Sequence, residues 1–237
     1  MSLISGEWPS EQSANISARS PDTHSLGEHA TQVSEALLQP YFAALRECSD
    51  ASLALNVHLP FCPSRCLSCD RIAVVQHQPD ELEHYVANLA RELARAAQTV
   101  NTARPLTRVH FGGGSPNHLS ELALATVFSH INDHFTVDAN TQFSMELNPR
   151  RTSRAQLNFL KGLGVEHIKL EVRDVDANVQ REIGRIQSLE LLEDVISIAH
   201  GVNFDSISMD YLVGLPGQTV DSCEQSIDAI VSLGPDW

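Results

Sequence analysis

The chain has 237 residues and a formal net charge of −14, because 30 acidic residues outnumber 16 lysines and arginines. This charge argues against a nucleic-acid-binding surface, since contacts to phosphate chains require a dense face of basic side chains. The length allows one large domain or two small ones. Hydrophobic residues make up 42% of the chain but aromatic residues only 5%, so the core must consist mainly of aliphatic side chains.

No segment reaches the roughly 20 consecutive apolar residues that a membrane-spanning helix requires. The amino terminus lacks a basic stretch followed by an apolar one, so the expected location is the cytoplasm. Of the five cysteines, three fall between Cys62 and Cys69. Stable disulfides are rare in the cytosol, and these cysteines are therefore interpreted as metal ligands.

Residues 1 to about 28 are rich in polar residues without apolar periodicity, so they are expected to be partly disordered. A short amphipathic helix is predicted from His29 to Cys48, with an interruption near Pro40. Residues 1–52 are thus interpreted as a lead-in segment, and residues 53–237 as the core domain.

From Leu53 onward, short apolar runs alternate with longer helical patterns. The predicted strands contain the segments LALNVHL, RVHF, QFSMEL, HIKLEV and SISMDYLVG. About five βα units in series predict an α/β fold with a parallel sheet, in either a barrel or a doubly wound arrangement. In both arrangements, a functional site forms at the carboxyl ends of the strands.

The most informative motif is a C-x3-C-x2-C triplet, Cys62, Cys66 and Cys69, directly after the first of these strands. A four-iron cluster normally takes four cysteine ligands, so a triplet on one loop would leave one iron free for an exogenous ligand. The alternative is a zinc site completed by His58 or His77, since zinc also accepts three cysteines and a histidine. The triplet alone does not distinguish an iron–sulfur cluster from a zinc site.

Further candidates follow the later strands. After the second strand come Gly112, Gly113, Gly114 and Ser115. Glycines there would let a charged ligand approach backbone N–H groups, although an ordinary tight turn explains them equally well. Glu146 ends the third strand, and Asp210 lies in the fifth strand at a similar depth. Both are suited to accept hydrogen bonds from a ligand or to form ion pairs across the strand ends. The planar guanidinium of Arg185 is suited to bind a carboxylate.

The cysteine spacing resembles the signature of the radical S-adenosylmethionine (SAM) superfamily, in which the cofactor's amino and carboxylate groups chelate the fourth iron. Within that superfamily, the chain resembles the oxygen-independent coproporphyrinogen III dehydrogenases and the related heme chaperones, from about Leu53 to the end. The segments that carry the resemblance are HLPFC, HFGGGSPNHL, MELNPR, VQREIGRIQS and MDYLVGLPGQT. It implies a partial (β/α) TIM-like barrel that holds a [4Fe–4S] cluster and SAM, without the C-terminal domain of the family.

The resemblance also implies residue roles. The cluster ligands would be Cys62, Cys66 and Cys69. The SAM-binding residues would be Asn56, Ser68, Gly112, Gly113, Gly114, Ser115, Glu146, Arg173, Arg185 and Asp210. The implied reaction uses a 5′-deoxyadenosyl radical to abstract hydrogen from propionate side chains of coproporphyrinogen III, giving protoporphyrinogen IX in heme biosynthesis. The implied partners are a porphyrinogen or heme and an electron-donor protein.

The sequence departs from the dehydrogenase pattern at several positions. Asn56 stands where a tyrosine is usual, and Arg71 stands where the motif commonly continues to a fourth cysteine. The fourth predicted strand ends in Glu171-Val172-Arg173 instead of glycine, valine and glutamine. These changes favour the alternative interpretation, a heme-binding chaperone-like or degenerate relative without decarboxylase activity.

Relatives continue through another strand and a further domain, whereas this chain stops after its fifth core helix. An incomplete barrel would leave a sheet edge and an apolar helix face needing cover. The expected explanation is either a homodimer that covers these surfaces or a truncated gene product.

Overall fold

The computed structural model describes residues 14–18, 35–47, 52–69, 71–75 and 78–237. Its centre is a six-stranded, entirely parallel sheet with the strands in chain order. The strands are β1 (Ala14–Ala18), β2 (Leu53–Leu59), β3 (Leu106–Gly113), β4 (Gln142–Leu147), β5 (Val165–Arg173) and β6 (Ser206–Tyr211). The helices are α1 (Glu35–Glu47), α2 (Pro79–Thr99), α3 (Glu121–His134), α4 (Arg154–Gly162), α5 (Ala177–Glu182), α6 (Leu189–Val202) and α7 (Val220–Ser232).

The predicted α/β class with a parallel sheet is confirmed. Because each strand lies beside its predecessor, the order contains no reversal of the kind that defines a doubly wound sheet. Right-handed crossovers then place the connecting helices on one face of the sheet. The result is an open sheet with the strand order of a (β/α) barrel.

Two details before Leu53 differ from the predictions. Residues Ala14–Ala18 form β1, which pairs in parallel with β2, although this region was expected to have no regular structure. The polar segment ANISA has no strand pattern of its own, so its pairing depends on the edge that β2 offers. The helix α1 is continuous through Pro40, and its predicted interruption is wrong. The ends of that predicted helix, residues 29–34 and Cys48, lie outside the described residues.

The core lies between the sheet and its helices. In β2, side chains alternate so that Leu53, Leu55, Val57 and Leu59 are buried, as a strand with one packed face requires. The opposite face of the sheet is polar, and neighbouring strands align Asn56, His110, Ser144 and His167 in one row across it. No helix within the described ranges is long and apolar enough to cross a membrane.

The helix α2 anchors the end of β2. The hydroxyl group of Tyr85 donates a hydrogen bond to the carbonyl oxygen of His58 at 2.6 Å, and its ring packs edge-on against Phe61 with 5.1 Å between centroids. Burial raises the pKa of Tyr85 to about 12. The backbone that leads into the cysteine triplet is thus held in place from the helix side.

Candidate functional site

The cysteine loop runs between Phe61 and Val74, directly after β2. A parallel bridge between these two residues closes its base, where the N–H of Cys62 donates to the carbonyl of Val74 at 3.0 Å. On the far side, the N–H of Leu67 donates to the carbonyl of Ile183 at the end of α5, at 2.9 Å. The sheet and α5 therefore both position this loop.

The three cysteines line one cavity of about 300 Å³ at the carboxyl ends of the strands. Cys62 is buried, and its Sγ lies 3.9 Å from the Oγ of Ser115. Burial raises the pKa of the Cys62 thiol, and the hydrogen bond with Ser115 offsets this only in part. Iron coordination requires the thiolate, and a bound metal ion stabilises that form.

Two arginines lie beside Cys66. The Nη1 of Arg185 is 3.5 Å from the Cys66 Sγ, and Arg150 contacts the same thiol. Burial and the like charge of Arg185 lower the pKa of Arg150. The Nε of Arg185 and the Nη2 of Arg150 are buried without a hydrogen-bond partner. Two neighbouring cations with unpaired donors are suited to bind an anionic ligand.

These residues fit an iron–sulfur cluster. Within the described residues, no three His, Cys, Asp or Glu side chains converge as ligands of a single metal ion. A four-iron cluster does not require convergence on one atom, because each cysteine binds a different iron. The zinc alternative involving His77 cannot be placed, because His77 lies outside the described part of the chain. Cys62, Cys66 and Cys69 are the residues that would hold the cluster.

The glycine run has a packing role that differs from the expected one. The N–H groups of Gly114 and Ser115, expected to face a ligand, donate instead to the carbonyls of Leu59 and Phe61, both at 2.8 Å. Gly113 has a positive φ of 118°, and a Cβ on Gly114 would lie 2.7 Å from the backbone of Pro60 and Phe61. The glycines let β3 approach the start of the cysteine loop closely.

A polar network that was not predicted from the sequence lies beside Ser115. Asn148, which follows β4, lies 3.4 Å from the Ser115 Oγ through its Nδ2. Its backbone exchanges hydrogen bonds with the side chain of Asn117 at 3.0 and 3.2 Å, and its Oδ1 accepts from the Nε of Arg150 at 3.3 Å. The position of Asn148 at a strand end was the available signal. This network links Ser115, and through it Cys62, to Arg150.

Both candidate carboxylates form ion pairs within the chain. Glu146 is buried and contacts Arg71 at 2.6 Å and Lys169 at 2.7 Å. Burial opposes ionisation of Glu146, but hydrogen bonds from His110, Lys169 and Arg71 outweigh it and lower the pKa. Asp210 lies 3.4 Å from Arg173 and 4.0 Å from Lys169. Ion pairs across the strand ends, the alternative to ligand binding, are therefore present.

Three of the residues that depart from the dehydrogenase pattern, Arg71, Glu171 and Arg173, form a connected group of ion pairs. The Nη1 of Arg71 also reaches Glu171 at 3.4 Å and the carbonyl of Gly113 at 2.9 Å. Glu171 pairs with Arg173 at 2.8 Å, and Arg173 has a left-handed φ of 72°, a strained conformation for a residue with a side chain. Burial raises the pKa of Glu171, with Arg173 and Arg185 acting in the opposite direction. Asp70, the neighbour of Arg71, lies outside the described residues.

Most of the sequence-derived candidates meet at one place. The 300 Å³ cavity is lined by Cys62, Cys66, Ser68, Cys69, Gly113, Gly114, Ser115, Arg173 and Arg185. Asn56 lies on a separate cavity of about 320 Å³, which it shares with Gly112, Gly113 and Glu146. Asp210 joins the site through Arg173.

The buried carboxylate of Glu146 should stabilise the fold in a pH-dependent way. Because folding lowers its pKa, Glu146 stabilises the folded chain at pH values above 4.5, the ordinary pKa of a glutamate. This stabilisation is lost progressively as the pH falls from 4.5 towards the lowered pKa. We expect Glu146→Gln to lower the free energy of unfolding of the metal-free chain at pH 7 by roughly 1–3 kcal/mol. Urea unfolding at pH 7 and below pH 4.5 should show that the difference in free energy of unfolding between Glu146→Gln and the unmodified chain becomes smaller in acid. Glu224→Gln, at an exposed position of α7, is the control. An equal decrease in the free energy of unfolding in both variants would contradict the stabilising role of Glu146.

A parallel α/β sheet that carries a three-cysteine loop and a cationic pocket at its carboxyl end defines an iron–sulfur protein with an open cluster site. The model of the radical SAM superfamily matches residues 56–230, and the chain belongs to that superfamily. Its members use a [4Fe–4S] cluster and SAM.

Curated relatives give a finer comparison. The chain is 31% identical over 197 residues to the oxygen-independent coproporphyrinogen III oxidase of Pseudomonas aeruginosa, covering 81% of this chain and 43% of that protein. It is 27% identical over 198 residues to the corresponding protein of Escherichia coli, covering 84% and 43%. The chain thus spans less than half the length of these relatives.

Solved structures agree with this comparison. The coproporphyrinogen III oxidase of Escherichia coli, described as a radical SAM enzyme, superposes with a TM-score of 0.78 at 27% identity, covering 84% of this chain and 45% of that one. A radical SAM methyltransferase from Kitasatospora setae superposes with a TM-score of 0.53 at 14% identity, a likeness of fold alone. The core fold is that of a radical SAM domain.

Proposed function

We propose that this chain is the cluster- and SAM-binding core of an oxygen-independent coproporphyrinogen III oxidase, which oxidatively decarboxylates coproporphyrinogen III to protoporphyrinogen IX. The observation that carries the proposal is the cysteine triplet, which lines one cavity with Arg185 and Ser115. The similarity to the Escherichia coli and Pseudomonas aeruginosa enzymes supports the choice of substrate.

Each residue has a defined task in this proposal. Cys62, Cys66 and Cys69 hold the cluster, which together with SAM supplies one-electron chemistry for hydrogen abstraction. Arg185 binds the carboxylate of SAM with its unpaired donor, and Ser115 orients Cys62.

The test is anaerobic reconstitution of the chain with iron and sulfide, followed by electron paramagnetic resonance of the reduced form with and without SAM. A four-iron signal that shifts on addition of SAM is expected, together with loss of carbon dioxide from coproporphyrinogen III in an assay with a chemical reductant. A cluster signal indifferent to SAM would contradict the proposal, and so would tightly bound zinc in place of a cluster.

The alternative is a heme-binding chaperone-like or degenerate radical SAM protein without decarboxylase activity. The observation that favours it is the group of charged residues Arg71, Glu171 and Arg173, which lines the cavity where the resembling dehydrogenases have smaller or neutral residues. Transfer of heme to an acceptor protein, without turnover of coproporphyrinogen III, would favour this alternative.

The proposal includes a cytoplasmic location, an electron-donor protein and a homodimer. The exposed side chains of Val220, Ile227 and Val231 on α7 support the homodimer, since apolar patches commonly mark interfaces. Light scattering tests it, and a monodisperse monomer would contradict it.

A further inference from the structure

Glu146 and Asp210, which the family resemblance implies as SAM-binding carboxylates, already have cationic partners from their own chain. Lys169 stands opposite Glu146 in the register of β4 and β5, and its Nζ lies 2.7 Å from the Glu146 Oε1. The same Nζ lies 4.0 Å from the Oδ2 of Asp210, on the next strand. Lys169 is therefore a bridge between the two carboxylates across three strands.

The formal charges in this group cancel. The carboxylates are Glu146, Glu171 and Asp210, and the cations are Arg71, Lys169 and Arg173. SAM carries a positively charged sulfonium and an ammonium group. A binding surface whose negative charges are already matched attracts such a ligand less than one with a free carboxylate.

Lys169 differs from Arg71 in how firmly it is held. The guanidinium of Arg71 contacts Glu146, Glu171 and the carbonyl of Gly113, which fix it against the backbone of β3. Lys169 has a flexible four-carbon stem, its side chain is 34% exposed, and its ion-pair partners within the described part of the chain are the two carboxylates. It is the cation that a ligand can displace at least cost.

We propose that Lys169 sets the affinity of this chain for SAM, because its ammonium group occupies the position between Glu146 and Asp210 that a cationic group of SAM would otherwise take. The inference rests on the proposed function and adds a residue that determines cofactor affinity. Binding of SAM then requires the Lys169 side chain to move out towards solvent.

The experiment titrates the reduced, cluster-loaded chain with SAM and follows the shift of the electron paramagnetic resonance signal. Lys169→Met removes the charge at similar length, and we expect the dissociation constant for SAM to fall by about twofold to fivefold, the range that a partly exposed ion pair supports. Lys169→Arg keeps the charge and should leave the constant within about twofold of the unmodified chain. Lys169→Gln is a second neutral variant in case Lys169→Met does not fold.

Lys161→Met is the matched control. Lys161 also pairs with an aspartate, Asp205, at 3.0 Å, but it lies on α4 away from the cavity, so its loss should not change the affinity for SAM. Cluster-loaded neutral variants that bind SAM no more tightly than the unmodified chain would overturn the inference. If the cluster forms in every protein but no signal responds to SAM, the proposed function itself fails, and the inference fails with it.

Discussion

Replacing Cys66 with alanine is expected to abolish assembly of the four-iron cluster. Three cysteines on one loop supply all the protein ligands of the proposed site, so loss of one leaves two irons without a protein ligand. Bound iron in the reconstituted protein should fall from about four atoms per chain towards background, and the signal of the reduced cluster should disappear. Iron and sulfide analysis with electron paramagnetic resonance measures both. Because Cys66 is only half-buried, the free energy of unfolding of the metal-free chain should change by less than about 1 kcal/mol.

Cys223→Ala is the matched control for this experiment. Cys223 lies on α7 beside Tyr211 and does not line the cavity. This variant should therefore retain the full iron content. A Cys66→Ala protein that still binds about four irons would show that the ligand assignment is wrong. Stoichiometric zinc that is lost in Cys66→Ala would favour the zinc site that the motif left open.

The location of this site could be predicted because each of its motifs is a short continuous segment at or after a predicted strand. Strand and helix patterns locate the five core strands, and parallel strands bring their carboxyl ends to one edge of the sheet. Cys62, Gly114 and Arg173 each follow or end a strand, so their meeting on one cavity follows from topology alone. Arg185 reaches the same cavity from the segment that follows α5.

The ion-pair network could not be predicted in this way. Lys169 contacts Glu146 because the register of β4 and β5 places them opposite each other, and that register shifts between Phe143 and Ser144. Which of two neighbouring residues faces a partner depends on such a shift, since side chains alternate between faces. Strand β1 was missed for a related reason, because its pairing depends on an edge that forms only in the folded chain.

Gly114→Ala is expected to destabilise the chain strongly. The added Cβ would lie 2.7 Å from the carbonyl carbon and oxygen of Pro60 and from the carbonyl oxygen of Phe61, and these backbone atoms cannot rotate away. The strands must then separate where the N–H of Gly114 donates to Leu59, at the base of the cysteine loop. We expect the free energy of unfolding of the metal-free chain to fall by roughly 3 kcal/mol, measured by urea unfolding.

Gly162→Ala supplies the comparison that separates packing from ligand binding. Gly162 ends α4, and a Cβ there meets no atom within 4 Å, so this variant should be neutral or more stable by up to about 1 kcal/mol. Equal unfolding midpoints for the two variants would contradict the packing role of Gly114. If the glycine served only to expose backbone N–H groups to SAM, Gly114→Ala would weaken SAM binding and leave the stability of the metal-free chain unchanged. Loss of stability before any cofactor is added would instead show that the close approach of β3 to the cysteine loop requires glycine.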